Sequence, residues 1–189
     1  GYNRHVESVR RLAAEHPEAQ LQVAETWAEV VARLKRPRRI LALVPAGAPV
    51  DGVLDALDPL LDEADVVVDA GNSHWADTDR RIERAKRRSW RFVGMGVSGG
   101  AEGALNGPSM MPGGDLEAWR SLRPLLQSIA ARSAHGVCVT HCGRGSAGHF
   151  VKMVHNGIEY GDMQLIAETA LLLRAGLGLS AAQACAQQQ

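Results

Sequence analysis

The chain has 189 residues, of which 46% are hydrophobic and 22% charged, a composition typical of a globular protein that buries a core. Lys plus Arg and Asp plus Glu number 21 each, so no net field favours nucleic acid or an acidic membrane surface as a partner. No apolar run approaches the roughly 20 residues of a membrane span, the N-terminus has no signal-peptide pattern, and three dispersed cysteines favour a reducing compartment. We therefore predict a cytoplasmic protein.

The first third of the chain alternates helical patterns with one strand. Residues 1–4 resemble the end of a strand, and helices are predicted near residues 5–16 and 24–35. The continuous apolar run at residues 39–44 predicts a buried strand, which ends at a Pro-Ala-Gly turn. A helical pattern near residues 49–61 follows this turn, so the strand begins a crossover unit.

The middle of the chain continues this alternation. Residues 64–69 predict a second buried strand, and residues 77–88 predict a helix on which the arginines form a solvated basic face. A third strand is predicted at residues 91–95, a helix near residues 116–131 and a fourth strand at residues 136–140. Strands separated by helical patterns imply crossover connections and a mainly parallel sheet.

The last part of the chain is predicted to be helical. One helical pattern runs from about residue 147 to about residue 175, and the polar tail at residues 181–189 is expected to fray. We predict an α/β, doubly wound, Rossmann-like sheet that lacks its first strand-turn-helix unit, because a dinucleotide fold normally begins one unit earlier. The predicted domains are a partial dinucleotide-binding domain at residues 1–146 and the start of an all-helical domain at residues 147–189.

A glycine pattern after the third predicted strand matches a dinucleotide-binding motif. Its surroundings in the chain differ from those in which this motif normally occurs. Residues 94–99 read Gly-Met-Gly-Val-Ser-Gly, which fits G-x-G-x-x-G. The glycines continue to Gly107 and Pro108, where a regular helix should begin. We therefore predict a loop in which the backbone approaches a ligand closely, and not a pyrophosphate-binding turn.

Asn3 and Arg4 give better evidence for a dinucleotide. They follow the presumed end of a strand, at the position that contacts the adenosine ribose in dinucleotide folds. An acidic residue at this position favours NAD, whereas an arginine accommodates the 2′-phosphate of NADP. The alternative is a surface arginine at the start of a helix, and these residues alone leave both interpretations open.

A group of cysteines and histidines between residues 135 and 149 raises the question of a metal site. The group consists of His135, Cys138, His141, Cys142 and His149. Its spacing differs from that of paired zinc ligands, and Cys138 lies in an alternating, strand-like run. We predict no metal site.

The strongest candidate for catalysis is a polar stripe on the last predicted helix. Lys152, His155, Asn156 and Glu159 stand at positions i, i+3, i+4 and i+7, which places them on one helix face. A solvated polar face is the alternative interpretation. The many apolar neighbours of the stripe predict a largely buried helix, in which Lys and Glu side chains could exchange protons near neutral pH.

Four segments resemble the 6-phosphogluconate dehydrogenase family in order and spacing, and together they cover nearly the whole chain. They lie at residues 43–51, at residues 69–73 with 77–81, at residues 92–114 and at residues 148–168, where the last begins with GHFVKMVHNGIEYGDMQ. The resemblance implies oxidation of C3 of 6-phosphogluconate with NADP, NAD being less expected. Loss of CO2 then gives ribulose 5-phosphate, as in the pentose phosphate pathway.

The resemblance also implies roles for single residues. Lys152 would take the proton of the C3 hydroxyl and later protonate the oxygen, Glu159 would protonate C1 of the enediol, and Asn156 would assist both as a catalytic and as a substrate-binding residue. Further substrate contacts are implied for Ser98, Gly99, Gly100, His155 and Tyr160, the last at the phosphate. Cofactor contacts are implied for Asn3 and Arg4 at the 2′-phosphate and for Val44, Ala46, Gly47 and Asn72 at the nicotinamide and ribose.

Compared with the family, the chain is expected to be truncated at both ends, without the glycine-rich first turn and with only the start of the helical domain. We therefore expect weak or no activity from the chain alone, and a homodimer for full-length relatives. Two alternatives remain open. The first is a non-catalytic remnant or subunit partner, and the second is a related NAD-dependent β-hydroxyacid dehydrogenase.

Overall fold

The computed structural model describes residues 1–88 and 90–187. In these ranges the α-helices are α1 (Val6–Glu15), α2 (Trp27–Arg33), α3 (Ala48–Leu57), α4 (Trp75–Lys86), α5 (Gly100–Asn106), α6 (Leu116–Ile129), α7 (Ala147–Leu177) and α8 (Ala181–Ala186). The strands are β1 (Arg39–Ala42), β2 (Val66–Asp69), β3 (Arg91–Ser98), β4 (Ser109–Pro112), β5 (Arg132–Ser133) and β6 (Gly136–Val137). Short 3₁₀ helices, Pro17–Ala19 and Asp58–Leu60, follow α1 and α3.

The main sheet has four strands in the order β1-β2-β3-β4. β1, β2 and β3 are parallel and start level, because Arg39 pairs with Val66 and Val66 with Arg91. β3 continues beyond the other two and pairs with the antiparallel β4. The predicted mainly parallel, Rossmann-like α/β fold is confirmed, and the loops after β1 and β2 lie at the edge where such sheets bind ligands.

The core lies on both faces of the sheet, and β2 shows why its strands are continuous apolar runs. Successive side chains of a strand point to opposite faces. Val67 therefore packs in one cluster with Leu54 of α3, whereas Val66 and Val68 pack in a second cluster with Leu122 of α6. A parallel strand covered by helices on both faces has no polar side to expose.

The prediction of a fourth strand at residues 136–140 is confirmed only for residues 136–137, and this strand is not part of the main sheet. Gly136–Val137 forms β6, which pairs with β5 in a small antiparallel ribbon, and Val139 makes only an isolated parallel bridge to Met110. The free edge of β3 is instead occupied by β4, which follows the short helix α5. Sequence reasoning missed both elements because the glycine-rich segment around them has neither strand nor helix periodicity.

The two ends of the chain also differ from the predictions. Residues 1–4 form no strand, although the backbone of Gly1 makes hydrogen bonds with Gln22 and Ala24. The tail predicted to fray forms α8, because Ser180 and Gln183 form a capping box at its start. Residues 188 and 189 of that predicted tail lie outside the described residues.

Candidate active site

The first two turns of α7 lie directly on β3. Because strand side chains alternate, Gly94, Gly96 and Ser98 all face α7. A Cβ atom at Gly94 would lie 2.7 Å from Nδ1 of His149, and one at Gly96 would overlap the Cβ of Lys152. The two glycines therefore allow a close approach of helix and strand, which brings Lys152 to the same face of β3 as Ser98.

This contact corrects the interpretation of the glycine pattern at residues 94–99. Its first five residues belong to β3 and only Gly99 lies between β3 and α5, so the pattern is not a glycine-rich turn. The prediction of a ligand-binding loop is wrong for Gly94 and Gly96, because their missing side chains make room for α7.

The polar stripe of α7 extends from the sheet into solvent. Lys152 is 8% exposed, Asn156 is half-buried and Glu159 is exposed. Nδ1 of His155 lies 3.4 Å from Oδ1 of Asn156 and 3.6 Å from Oε2 of Glu159. The four predicted side chains therefore share one face of α7, and Lys152 is the one that the sheet buries.

The prediction that α7 is largely buried is wrong. Within the described residues of this helix the buried positions are Gly148, His149 and Lys152, whereas Phe150 is 49% and Ile158 63% exposed. Only the first turns reach the sheet, and the rest of this 31-residue helix extends past it. The predicted burial is therefore confirmed for Lys152, whereas Glu159 is exposed.

The remaining predicted substrate residues lie in two places. Ser98 ends β3, and Gly99 and Gly100 form the start of α5, so these three lie beyond Gly96 on the strand that contacts Lys152. Tyr160 is 68% exposed and follows Lys152 by eight residues, which is about 12 Å along a helix. The first group therefore lies at the end of the strand that Lys152 contacts, and the tyrosine lies further out on α7.

The loops after β1 and β2 hold the residues predicted at the nicotinamide side. Val44, Ala46 and Gly47 follow β1, and Asn72 follows β2. A Cβ atom at Gly71 would lie 2.8 Å from the carbonyl oxygen of Val44, so the two loops touch. Ala46 and Asn72 are exposed, and a ligand can therefore reach both loops.

Asn3 and Arg4 lie on the N-terminal segment before α1, and both are exposed. Oδ1 of Asn3 accepts a hydrogen bond of 2.9 Å from the backbone N–H of His5, at the start of α1. The ring of Tyr2 lies 4.2 Å from that of Trp27, which fixes the segment against α2. The role of Asn3 and Arg4 at a 2′-phosphate stays a prediction.

Sequence reasoning missed Arg81, which was predicted to belong to a solvated basic face of α4. Its side chain is 0% exposed, and it donates two hydrogen bonds of 3.0 Å to the carboxylate of Asp51. These bonds, together with a weaker contribution from Arg80, lower the pKa of Asp51 to about 2. Thr78, Arg81 and Ala85 lie on one face of α4, and all three are buried.

His149 is the second residue that sequence reasoning missed. It is 1% exposed, its Nδ1 lies 2.6 Å from Oγ1 of Thr78, and its Nε2 has no hydrogen-bond partner in the described part of the chain. Burial lowers the pKa of His149, and the nearby charge of Asp69 opposes this effect only in part. His149 therefore belongs to the packing of α7 against α4.

A cleft of about 1010 Å³ opens on the opposite face of the sheet. Its lining is mostly apolar, with Leu43, Met95 and Val97 among its residues, and it also includes Ser98 and Gly100. Lys152 lies across the sheet from Met95 and Val97, and Ser98 and Gly100 are the predicted substrate residues that also line this cleft.

Residues 1–88 and 90–187 contain neither a metal-binding group of side chains nor a helix suited to a membrane. No group of three or more His, Cys, Asp or Glu side chains in these ranges could hold a metal ion. None of the helices described there combines the length and the apolar composition that crossing a membrane requires.

Two family models match the chain. Residues 1–143 match the NAD binding domain of 6-phosphogluconate dehydrogenase, and residues 148–187 match the 6-phosphogluconate dehydrogenase C-terminal domain. The decarboxylating 6-phosphogluconate dehydrogenase of Synechococcus elongatus is 51% identical over 183 residues, which are 96% of this chain and 39% of that protein. The chain thus spans about two fifths of the length of this curated relative.

Solved structures give the same fold. The 6-phosphogluconate dehydrogenase of Plasmodium falciparum, described as apo protein and in complex with NADP+ and with 6-phosphogluconate, matches with a TM-score of 0.87 and 38% identity. The match covers 94% of this chain and 38% of that one. The 3-hydroxyisobutyrate dehydrogenase of Mycobacterium tuberculosis matches with a TM-score of 0.79 and 25% identity, over 95% of this chain and 57% of that one.

Proposed function

We propose that this chain, which belongs to the 6-phosphogluconate dehydrogenase family, carries the catalytic helix and the nicotinamide side of the NADP-dependent oxidative decarboxylation of 6-phosphogluconate. The products are ribulose 5-phosphate and CO2, in the cytoplasmic pentose phosphate pathway. The observation that carries the proposal is the position of Lys152, which packs on Gly96, two residues before Ser98 on β3, at the buried start of a polar stripe.

Lys152 and Glu159 divide the proton transfers of the proposed reaction. Nζ of Lys152 takes the proton of the C3 hydroxyl while the hydride leaves C3, and the resulting β-keto acid loses CO2 readily. Lys152 returns its proton to the C3 oxygen as the enediol forms. The exposed carboxyl group of Glu159, two turns along the same face, then protonates C1 of the enediol, while Lys152 takes back the hydroxyl proton of the adjacent carbon and the ketone forms.

The substrate is held from two directions. Asn156 and His155 donate and accept hydrogen bonds at its hydroxyl groups, since they lie between Lys152 and Glu159 on the stripe. Ser98, Gly99 and Gly100 approach the sugar acid from the end of β3, and Tyr160 reaches the phosphate. In this proposal, C3 of the substrate lies next to the amine of Lys152.

The two touching loops fit the nicotinamide end of NADP, which supplies the hydride acceptor of the reaction. The contact between Gly71 and the Val44 carbonyl leaves exposed backbone on one loop and the exposed amide of Asn72 on the other. Val44, Ala46, Gly47 and Asn72 would hold the nicotinamide and its ribose, and Asn3 and Arg4 would meet the 2′-phosphate.

The test is NADPH formation by the purified chain with 6-phosphogluconate and NADP, followed by absorbance. We expect slow turnover that Lys152→Ala abolishes and that Lys35→Ala, at an exposed lysine, leaves unchanged. Turnover that survives Lys152→Ala, or no turnover with folded protein, would contradict the proposal and favour a non-catalytic subunit partner. Faster turnover of 3-hydroxyisobutyrate with NAD would favour the related dehydrogenase instead.

A further inference from the structure

We propose that Arg81 is a positioning residue that fixes the two cofactor loops against each other. The loops are defined as residues 43–47 after β1 and residues 70–73 after β2. The inference rests on the proposed function, because it assigns these loops to the nicotinamide side of NADP. It adds a residue that touches neither the cofactor nor the substrate and acts through the backbone that does.

The first set of contacts joins Arg81 to the loop after β1. Nη2 of Arg81 donates to the carbonyl oxygen of Gly47 at 2.9 Å. Nε and Nη2 also bind both carboxylate oxygens of Asp51, in the first turn of α3, at 3.0 Å each. Arg81 thereby fixes the end of this loop and the start of the helix that follows it.

The second set joins Arg81 to the loop after β2. Nη1 of Arg81 donates to Oγ of Ser73 at 3.3 Å and lies 3.7 Å from Oδ2 of Asp69. Oγ of Ser73 in turn donates to Oδ2 of Asp69 at 2.6 Å, and Oδ1 of Asp69 accepts from the N–H of Gly71 at 3.0 Å. Hydrogen bonds to Asp69 therefore hold the loop in shape, and the hydrogen bond to Ser73 joins it to Arg81.

A planar guanidinium group is needed for this bridge. It donates in several fixed directions within one plane, so a single side chain reaches Gly47, Asp51 and Ser73 at once. A lysine at position 81 would keep the charge but could not keep this geometry. Since Arg81 is fully buried, water cannot replace the lost hydrogen bonds without a change in the loops.

The first experiment measures the dissociation constant for NADP by calorimetry. Arg81→Lys is expected to weaken binding by about tenfold, and Ser73→Ala, which removes only the link to the β2 loop, by about fivefold. Arg80→Lys is the matched control, because Arg80 also binds Asp51 but is 55% exposed, and its effect should stay below about twofold. Equal affinities of Arg81→Lys and the unsubstituted chain would overturn the inference.

The second experiment measures backbone hydrogen exchange without ligand, so that it does not depend on the proposed function. In Arg81→Lys, exchange should rise in both loops together while the amides of Val66–Asp69 stay protected. A rise throughout the sheet would indicate a merely structural role, and a rise in one loop alone would contradict the bridge. If the unsubstituted chain binds no NADP, the proposed function fails, while exchange still decides whether Arg81 couples the loops.

Discussion

At the scale of single residues, the burial of His149 makes the free energy of unfolding depend on pH. Its ring lies between Gly94, Thr78 and the nearby charges of Asp69 and Arg81. Burial is the main cause of its lowered pKa, so the folded chain favours the neutral ring. The unfolded chain takes up a proton as the pH falls through about 6.5, and the folded chain does so only at lower pH.

This difference predicts how stability changes with pH. Because the unfolded state binds more protons below about pH 6.5, the free energy of unfolding should fall as the pH decreases from there towards the lower pKa of the folded state. His149→Gln should reduce this dependence and cost about 1 kcal/mol at neutral pH through its weaker bond to Thr78. Urea unfolding at several pH values measures both effects.

The control for this prediction is His135→Gln, because His135 is exposed on the turn between β5 and β6. It should leave the pH dependence unchanged. If the free energy of unfolding changes equally with pH in the His149→Gln variant and in the unsubstituted chain, another group causes the acid sensitivity.

Single residues also show what a sequence can and cannot predict. Lys152 was predicted from both a family motif and a helical stripe, and Ser98 was predicted from the family motif alone. Arg81 and His149 were not found, because their roles depend on partners 30 and 71 residues away, Asp51 and Thr78. A charged residue surrounded by other charged residues in sequence is normally solvated, and only the packing of α4 overrides that expectation.

At the scale of elements, the packing contact between α7 and β3 determines where the polar stripe lies. Strand β3 offers two positions without side chains, Gly94 and Gly96, to the first turns of α7. A helix that packs on ordinary strand side chains would lie further from the sheet, and Lys152 would move with it.

The substitution Gly96→Ala tests this packing contact between α7 and β3. The added methyl group would overlap the Cβ of Lys152, so we expect a loss of about 1–3 kcal/mol in the free energy of unfolding and a loss of NADPH formation. Gly176→Ala is the matched control, because a Cβ there meets no atom within 4 Å. This change in the last turn of α7 should instead stabilise the chain slightly, by up to about 1 kcal/mol. Equal free energies of unfolding for the two variants would argue against a close contact between α7 and β3.

The elements differ in how well their sequence predicts them. β1, β2 and β3 were found because continuous apolar runs mark strands that helices cover on both faces. α7 was found from its periodicity, but its exposure was not, because an apolar helix face shows that a partner surface is needed and not that it is present. β4 was missed because four residues, two of them Met, carry too little pattern.

At the scale of the whole molecule, apolar surface is distributed unevenly. Strands β1 to β3 are covered on both faces, whereas the second half of α7 exposes large apolar side chains. Leu165 is 64% and Leu172 71% exposed, and they stand seven residues apart, hence on one helix face. Contiguous apolar surface of this kind favours association.

We therefore predict that the chain associates with itself through α7 in a concentration-dependent way. The combined substitution of Leu165→Glu and Leu172→Glu places two charges on this face, which should shift the population towards monomer because burying unpaired carboxylates is costly. Light scattering coupled to size-exclusion chromatography measures the mass over a range of concentrations. Leu105→Glu is the control, since Leu105 is 81% exposed but lies on α5, and it should not change the mass. A monomer at all concentrations, or an equal loss of association in the control, would contradict the prediction that this face of α7 drives assembly.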